Sequence, residues 1–213
     1  MLEIVTKLVI SYLLGSLMGG LVLGKLMGGA DLRTVGSESA GATNALRTRG
    51  KGFAAGVFLI DILKGLAAVT LVAGLTWPGG GTSLLTPPAL SAACGVAAVL
   101  GHLYPVFFGF RGGKGVATLL GAMLGLSPLI LGVALLAWVA ILLASGYVGL
   151  ASIGAGLVAA ATTLLWVPGT ITAPITLFCL LMACLLIYTH RSNIQRLRNG
   201  TEHRFNVLGR FGK

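Results

Sequence analysis

Arg111 and Lys114 stand among four glycines, Gly109, Gly112, Gly113 and Gly115, and an apolar helical pattern begins at Val116. Glycines let successive backbone N–H groups converge on one concave point with no Cβ in the way. A helix that starts just after such a loop adds its first, unpaired N–H groups and the positive end of its dipole. With the full charge of Lys114, and Thr118 in the first turn, the stretch from Gly109 to Thr118 reads as an anion cradle of the kind that holds phosphate. It is not a nucleotide-binding P-loop. That motif needs a glycine where Phe108 stands and a Ser or Thr where Gly115 stands, so the hydroxyl for Mg²⁺ is missing.

Four other polar groups have residue types or spacings that suit chemistry. Residues 31–47 set Gly36, Ser37, Ser39, Gly41 and Thr43 close to Asn44 and Arg47. A guanidinium binds phosphate oxygens in a bidentate fork, and Asn44 and Arg47 share a face if this piece is helical. Asp61 and Lys64 lie at i, i+3 inside an apolar run, either as a structural pair or as the floor of a polar cavity. His102, just ahead of Tyr104 and Pro105, either contacts a substrate or bonds a backbone carbonyl. In the tail, His190, Asn193 and Arg196 share one helical face. Charge alone would make that tail a basic helix drawn to anionic lipid.

The elements that must position these residues are membrane helices. Of the 213 residues 56% are hydrophobic and only 9% charged, and mean hydropathy is +0.96, whereas soluble domains carry about 25% charged residues. Fifteen Lys and Arg against five acids give a net charge of +10. In a membrane chain that balance points to basic loops, anionic headgroups and phosphorylated substrates rather than nucleic acid. Cys94, Cys179 and Cys184 lie in apolar runs without metal spacing and read as small core residues. The acids are few and unclustered, so no metal is expected, and no cofactor.

The first apolar run, Ile4 to Met27, is flanked by Glu3 and Lys7 and followed by no cleavage site, so it is expected to stay as one membrane helix. Its Gly15, Gly19, Gly20 and Gly24 suit close helix packing. Further spans are expected from Phe53 to Leu75 and from Leu85 to Leu103. An uncharged turn separates them at Trp77–Gly81. Breaks at Ser127-Pro128, Ser145-Gly146 and Pro168-Gly169 divide the remainder into pieces near 114–126, 129–145, 149–166 and 171–189. The 114–126 piece is too short to cross ~30 Å of hydrocarbon unaided. The expectation is one all-α integral membrane domain over 1–213 with about seven spans, some short or re-entrant, and five as the alternative. Arg33, Arg47, Arg49 and Lys51, then Arg111 and Lys114, then the Arg-rich tail share one side. By the positive-inside rule that side, with the C-terminus and segments 28–52, 104–118 and 189–213, is cytoplasmic, and the N-terminus is outside.

Taken together, Gly36 to Arg47, Asp61 to Gly65, Gly101 to Pro105, Gly112 to Thr118 and His190 to Glu202 resemble one family over essentially the whole chain. It is the bacterial membrane acyl-phosphate:glycerol-3-phosphate acyltransferase family of the PlsY type. The resemblance implies a seven-helix, N-outside fold in the bacterial inner membrane. It also implies transfer of a fatty acyl group from acyl-phosphate to the 1-hydroxyl of glycerol 3-phosphate, giving lysophosphatidic acid and phosphate. The implied catalytic residues are Ser37, Arg47, Lys114, His190 and Asn193. Implied substrate contacts extend to Gly41, Thr43, Asn44, Lys64, His102, Gly112, Gly113, Gly115, Thr118, Ser152 and Glu202. The family often has serine where this chain has Gly149, which leaves Ser152 as the hydroxyl of that stretch. Acyl-phosphate, glycerol 3-phosphate and membrane lipid are the expected partners, and a monomer is favoured.

No histidine has an acid five residues on, since Phe107, Gln195 and Leu208 stand there, so a His-x4-Asp relay is absent. An acyl-phosphate is a mixed anhydride with a good leaving group. Direct attack, with the donor phosphate taking the hydroxyl proton, is therefore the expected mechanism; His190 as general base is the competing one. A transporter for phosphorylated metabolites would show matching inverted halves, and the polar motifs cluster instead at the ends of spans.

Overall fold

The computed structural model describes residues 1–29, 31–76, 84–165 and 172–205. Ten α-helices are seen among them: α1 Leu2–Ser16, α2 Gly19–Leu26, α3 Ala42–Arg49, α4 Lys51–Ala67, α5 Pro87–Leu103, α6 Val116–Leu126, α7 Pro128–Ser145, α8 Val148–Leu165, α9 Ala173–Thr189 and α10 Arg191–Arg198. A π-helical turn, Ala68–Val72, prolongs α4. The chain groups into two compact units, Met1–Leu126 and Ser127–Lys213. Four helical stretches, Lys51–Val72, Pro87–Phe108, α7 and α8, are long and apolar enough to cross a membrane, and up to six if the bent pairs α1–α2 and α9–α10 each form one span. With 11 residues, α6 is as short as expected. The expected turn at Trp77–Gly81 and break at Pro168-Gly169 lie outside the described residues.

In the first unit the run expected as one helix from Ile4 to Met27 is broken at Leu17 and Met18, and its halves bend by 51°. No proline causes this. The break deprives the Leu17 carbonyl and the Gly19 N–H of helical partners, and both are supplied from α4. Lys64 Nζ donates to Leu17 O at 3.0 Å, and Gly19 N donates to Asp61 Oδ1 at 3.2 Å. Lys64 and Asp61 also pair with each other at 2.8 Å. Irregular backbone inside a membrane protein persists only where such groups re-satisfy it. The pair that sequence left open thus has a structural task.

Close helix contacts follow the glycines. A Cβ on Gly15 would strike the Ala98 backbone, and one on Gly101 the Tyr12 carbonyl, so α1 and α5 touch backbone to backbone. A Cβ on Gly65 would strike the Thr118 carbonyl and one on Gly121 the Ile62 carbonyl, which locks α6 against α4. Lys7, expected to flank the first run, is instead buried in α1. It pairs with Glu3 at 2.7 Å and donates to Ala73 O at 2.9 Å, just past the π turn.

The second unit packs α7, α8 and α9 in succession. Ser127 caps α7, with Pro128 in its first turn, and Gly146 ends it at φ +77°. A Cβ on Gly154 would strike Ile141, and Trp138 Nε1 donates to Ser152 Oγ at 3.3 Å, fixing α7 to α8. Cys94 and Cys179 are buried as expected, but Cys184 faces outward from α9.

Candidate active site

Asn44 organises the first polar segment. In the opening turn of α3, it is 1% exposed. Its Oδ1 accepts from Ser37 N at 2.8 Å, and its Nδ2 lies 2.9 Å from the carbonyls of Leu32, Val35 and Ser39. Gly36, at φ +62°, lies so close that a Cβ would strike Asn44 Oδ1. The residue expected as a ligand contact therefore shapes the loop that carries half-buried Ser37. Gly41 is the N-cap of α3, Thr43 is exposed in its first turn, and half-buried Arg47 lies one turn further along. The loop is seated on α2, where a Cβ on Gly20 would strike the Ala40 carbonyl.

Asp31 and Arg33 tie this loop to the glycine-rich one. Asp31 Oδ1 accepts from Arg33 N at 2.8 Å, and the side chains pair at 2.6 Å. Arg33 Nη1 also donates to Phe108 O at 2.8 Å and Arg111 O at 3.0 Å. The hydrogen bond from Arg33 holds the Asp31 carboxyl below its ordinary 3.8, and the same bond raises the guanidinium. Sequence reading counted Arg33 only as a basic loop residue. The Asp-x-Arg spacing, which suits an Asx turn, was the available signal.

The glycine-rich loop departs from the expected open cradle. Gly112 N donates to Leu103 O and Gly113 N to His102 O, both at 3.2 Å, so these two N–H groups close the C-terminus of α5. Gly113 presses on the imidazole itself, where a Cβ would meet His102 Nε2. His102 is buried, with Nδ1 3.1 Å from Thr118 Oγ1 and 3.6 Å from Asp61 Oδ1. Among the described residues its polar neighbours are these two side chains, where sequence weighed a substrate contact against a backbone carbonyl. What remains for an anion is the start of α6. Its first helical bond runs from Leu119 N to Gly115 O, so the N–H groups of Val116, Ala117 and Thr118 precede the ladder. Half-buried Lys114 stands directly before them, with Gly115 at φ +81° making the turn.

In the second unit, His190 ends α9 and opens α10. Its Nδ1 is 2.8 Å from Leu186 O, and since a carbonyl only accepts, Nδ1 is the donor of that bond, which makes Nε2 the lone-pair nitrogen whenever the ring is neutral. Asn193 Nδ2 donates to Glu202 Oε1 at 2.8 Å and Arg196 Nε to Glu202 Oε2 at 2.6 Å. Two of the three residues whose shared face was read from sequence, Asn193 and Arg196, are thus gathered on one carboxylate, which is 3% exposed, while His190 turns to Leu186 O. A Cβ on Gly149 would lie 3.0 Å from the Asn193 side chain, so glycine at this position lets α8 approach α10. Ser152 is buried one turn on, donating to Val148 O at 3.0 Å.

Comparison with known proteins gives the family of the chain. The glycerol-3-phosphate acyltransferase family model matches residues 5–200. A glycerol-3-phosphate acyltransferase of Methylorubrum populi is 43% identical over 97% of this chain and 95% of its own length. That of Aquifex aeolicus is 44% identical over 92% of this chain and 96% of its own. The crystal structure of PlsY, an integral membrane glycerol 3-phosphate acyltransferase, in its glycerol 3-phosphate form superposes with a TM-score of 0.83 at 40% identity, covering 97% of both chains. The lysophosphatidic acid form gives 0.81 at 38% identity over 96% of both. The chain belongs to the glycerol-3-phosphate acyltransferase family.

Proposed function

We propose that this member of the family moves a fatty acyl group from acyl-phosphate to the 1-hydroxyl of glycerol 3-phosphate, releasing lysophosphatidic acid and inorganic phosphate. The observation that carries the reading is the start of α6. Lys114 and three leading N–H groups sit there, on a loop fixed by His102 and Arg33. Such a terminus is built for an anion. The solved relative is described in a glycerol 3-phosphate form and a lysophosphatidic acid form, which supports reading these two molecules as acceptor and product here. The donor is inferred from chemistry: no nucleophile–base pair of the acyl-enzyme kind was read in the sequence, and a mixed anhydride needs none.

In this reading Ser37, Thr43, the loop shaped by Asn44, Lys114 and Thr118 take the donor phosphate. Arg47, Lys114, Ser152, His190 and Asn193 take glycerol 3-phosphate and the charge that develops on attack. The acceptor hydroxyl oxygen forms the ester bond as the carbonyl–phosphate bond breaks. Its proton leaves with the phosphate, and catalysis is chiefly positioning and charge stabilisation. The donor role of His190 Nδ1 favours a second version, in which Nε2 takes the proton. Loss of turnover in His190→Ala that His190→Gln does not restore would select that version. Full restoration by glutamine would select the donor phosphate. The membrane placement that accompanies the reading is seven crossings of a bacterial inner membrane, N-terminus outside and chemistry at the cytoplasmic face. It is supported by the basic segments sharing one side of the chain's charge pattern.

The donor is tested by giving the purified protein glycerol 3-phosphate with palmitoyl phosphate or with a palmitoyl thioester. Lysophosphatidic acid is expected from the first alone; equal product from the thioester would overturn the donor assignment and leave the acceptor standing.

A further inference from the structure

Past the end of α5 the backbone makes a turn whose strain calls for a reason. Gly109 and Phe110 are both left-handed, at φ +64° and +58°. Glycine adopts that conformation without penalty, whereas a bulky L residue pays for it in free energy. Phe110 nevertheless stands there, 56% exposed as a residue, beside Phe107 at 55% and Val106 at 40%. Phe108 alone turns inward, onto Met18, Leu21 and Ala40. The strain thus holds an apolar edge outward, and strain of this kind persists where surrounding structure enforces it. Here the enforcing groups are visible. Pro105 O accepts from both Phe108 N and Phe110 N, at 3.1 and 2.9 Å, and Arg33 Nη1 gathers the carbonyls of Phe108 and Arg111.

We propose that Val106–Arg111 is an interfacial anchor, with the rings of Phe107 and Phe110 set into the acyl boundary of the leaflet and Arg111 on anionic lipid headgroups. Three observations fit lipid as the occupant. The turn directly continues a stretch, Pro87–Phe108, apolar and long enough to cross a membrane, so it lies at a membrane boundary whichever way the chain is oriented. The exposed cation Arg111 adjoins the exposed rings, the pairing of apolar body and positive charge that suits a negatively charged leaflet. The carbonyls of Phe108 and Arg111 are satisfied by Arg33, which removes the cost of carrying irregular backbone into a region poor in water. Because the same guanidinium holds Asp31, the anchor is rigidly joined to the segment that leads into the Asn44 loop.

The test is a nitroxide placed by Phe110→Cys, and separately by Phe107→Cys, in a chain carrying Cys184→Ser. Cys94 and Cys179 are buried, and the parent chain with Cys184→Ser alone is treated with the label as the background. The protein is studied in bilayers of phosphatidylcholine and phosphatidylglycerol. Collision with oxygen is compared with collision with a water-soluble nickel chelate. The anchor predicts a shift toward oxygen at both positions. Preference for the chelate at either position overturns it. If the chain labelled at 110 does not fold, position 107 decides, since its backbone is not left-handed. Neither reading depends on turnover, so the outcome is independent of the proposed reaction.

Discussion

At the scale of single residues, Asn44 illustrates how a side chain can matter to a site without facing it. Its amide serves four backbone groups of the 32–39 loop. Asn44→Ala should cost about 1–3 kcal/mol for the groups left unsatisfied, read as a fall in Tm. Asn44→Asp should do no better, because an oxygen would then face three carbonyl oxygens. Equal stability of the aspartate variant and the native chain would show the clamp to be misread. Asp61 makes the companion case. Asp61→Asn leaves Lys64 buried with its charge uncompensated, a loss of about 3–5 kcal/mol, whereas Asp61→Leu with Lys64→Met removes both charges and should recover part of it. Recovery will be incomplete, because Leu17 O and Gly19 N lose their partners too. Asp31 supplies a pH signature. Its folded pKa is lowered from 3.8, so its stabilising contribution is complete above that value and lost as pH falls through the lower folded one. The stability gap between the native chain and Asp31→Asn should therefore be present near neutrality and close in strong acid. A gap that persists in strong acid would refute the assigned pairing.

At the scale of elements, the informative glycines are those that permit contact. Gly113→Ala would drive a Cβ into His102 Nε2, and the buried ring is held by Thr118 and has no room to move. The expected result is a rise in KM for glycerol 3-phosphate, with about a hundredfold loss in kcat/KM if the loop is displaced by ~1 Å, and a fall in Tm reflecting the about 1–3 kcal/mol that overpacking costs. Unchanged kinetics would mean that His102 does not support the loop. Gly149→Val should likewise displace Asn193 and lower kcat, because the Cβ position is already tight against that amide. Much of this was legible in the chain itself. The helix boundaries at Ser127-Pro128 and Ser145-Gly146 follow from cap chemistry, and the gathering of Asn193 and Arg196 follows from helical period. The bend at Leu17 was not legible. Hydropathy is uniform across it, and its cause lies some 40 residues away in Asp61 and Lys64. The turned-in N–H groups of Gly112 and Gly113 were equally hidden, since composition reports that glycines can aim at a ligand but not that the carbonyls of α5 claim them.

At the scale of the whole molecule, each unit brings its own polar set to the account. The first carries the two loops braced by Arg33, and the second carries His190, Asn193 and Glu202 around the α9–α10 bend. The first set supplies Arg47, Lys114 and the leading N–H groups of α6, donors of the kind that phosphorylated substrates require. The central claim is that these donors act on a reaction between acyl-phosphate and glycerol 3-phosphate. The most direct measurement is inorganic phosphate release by the purified protein in lipid, from palmitoyl phosphate with and without glycerol 3-phosphate, alongside Lys114→Ala and Arg47→Ala. The account predicts release that depends on the acceptor and falls ~100-fold or more in each variant. Release that ignores the acceptor, or a folded native protein that releases none, would contradict it.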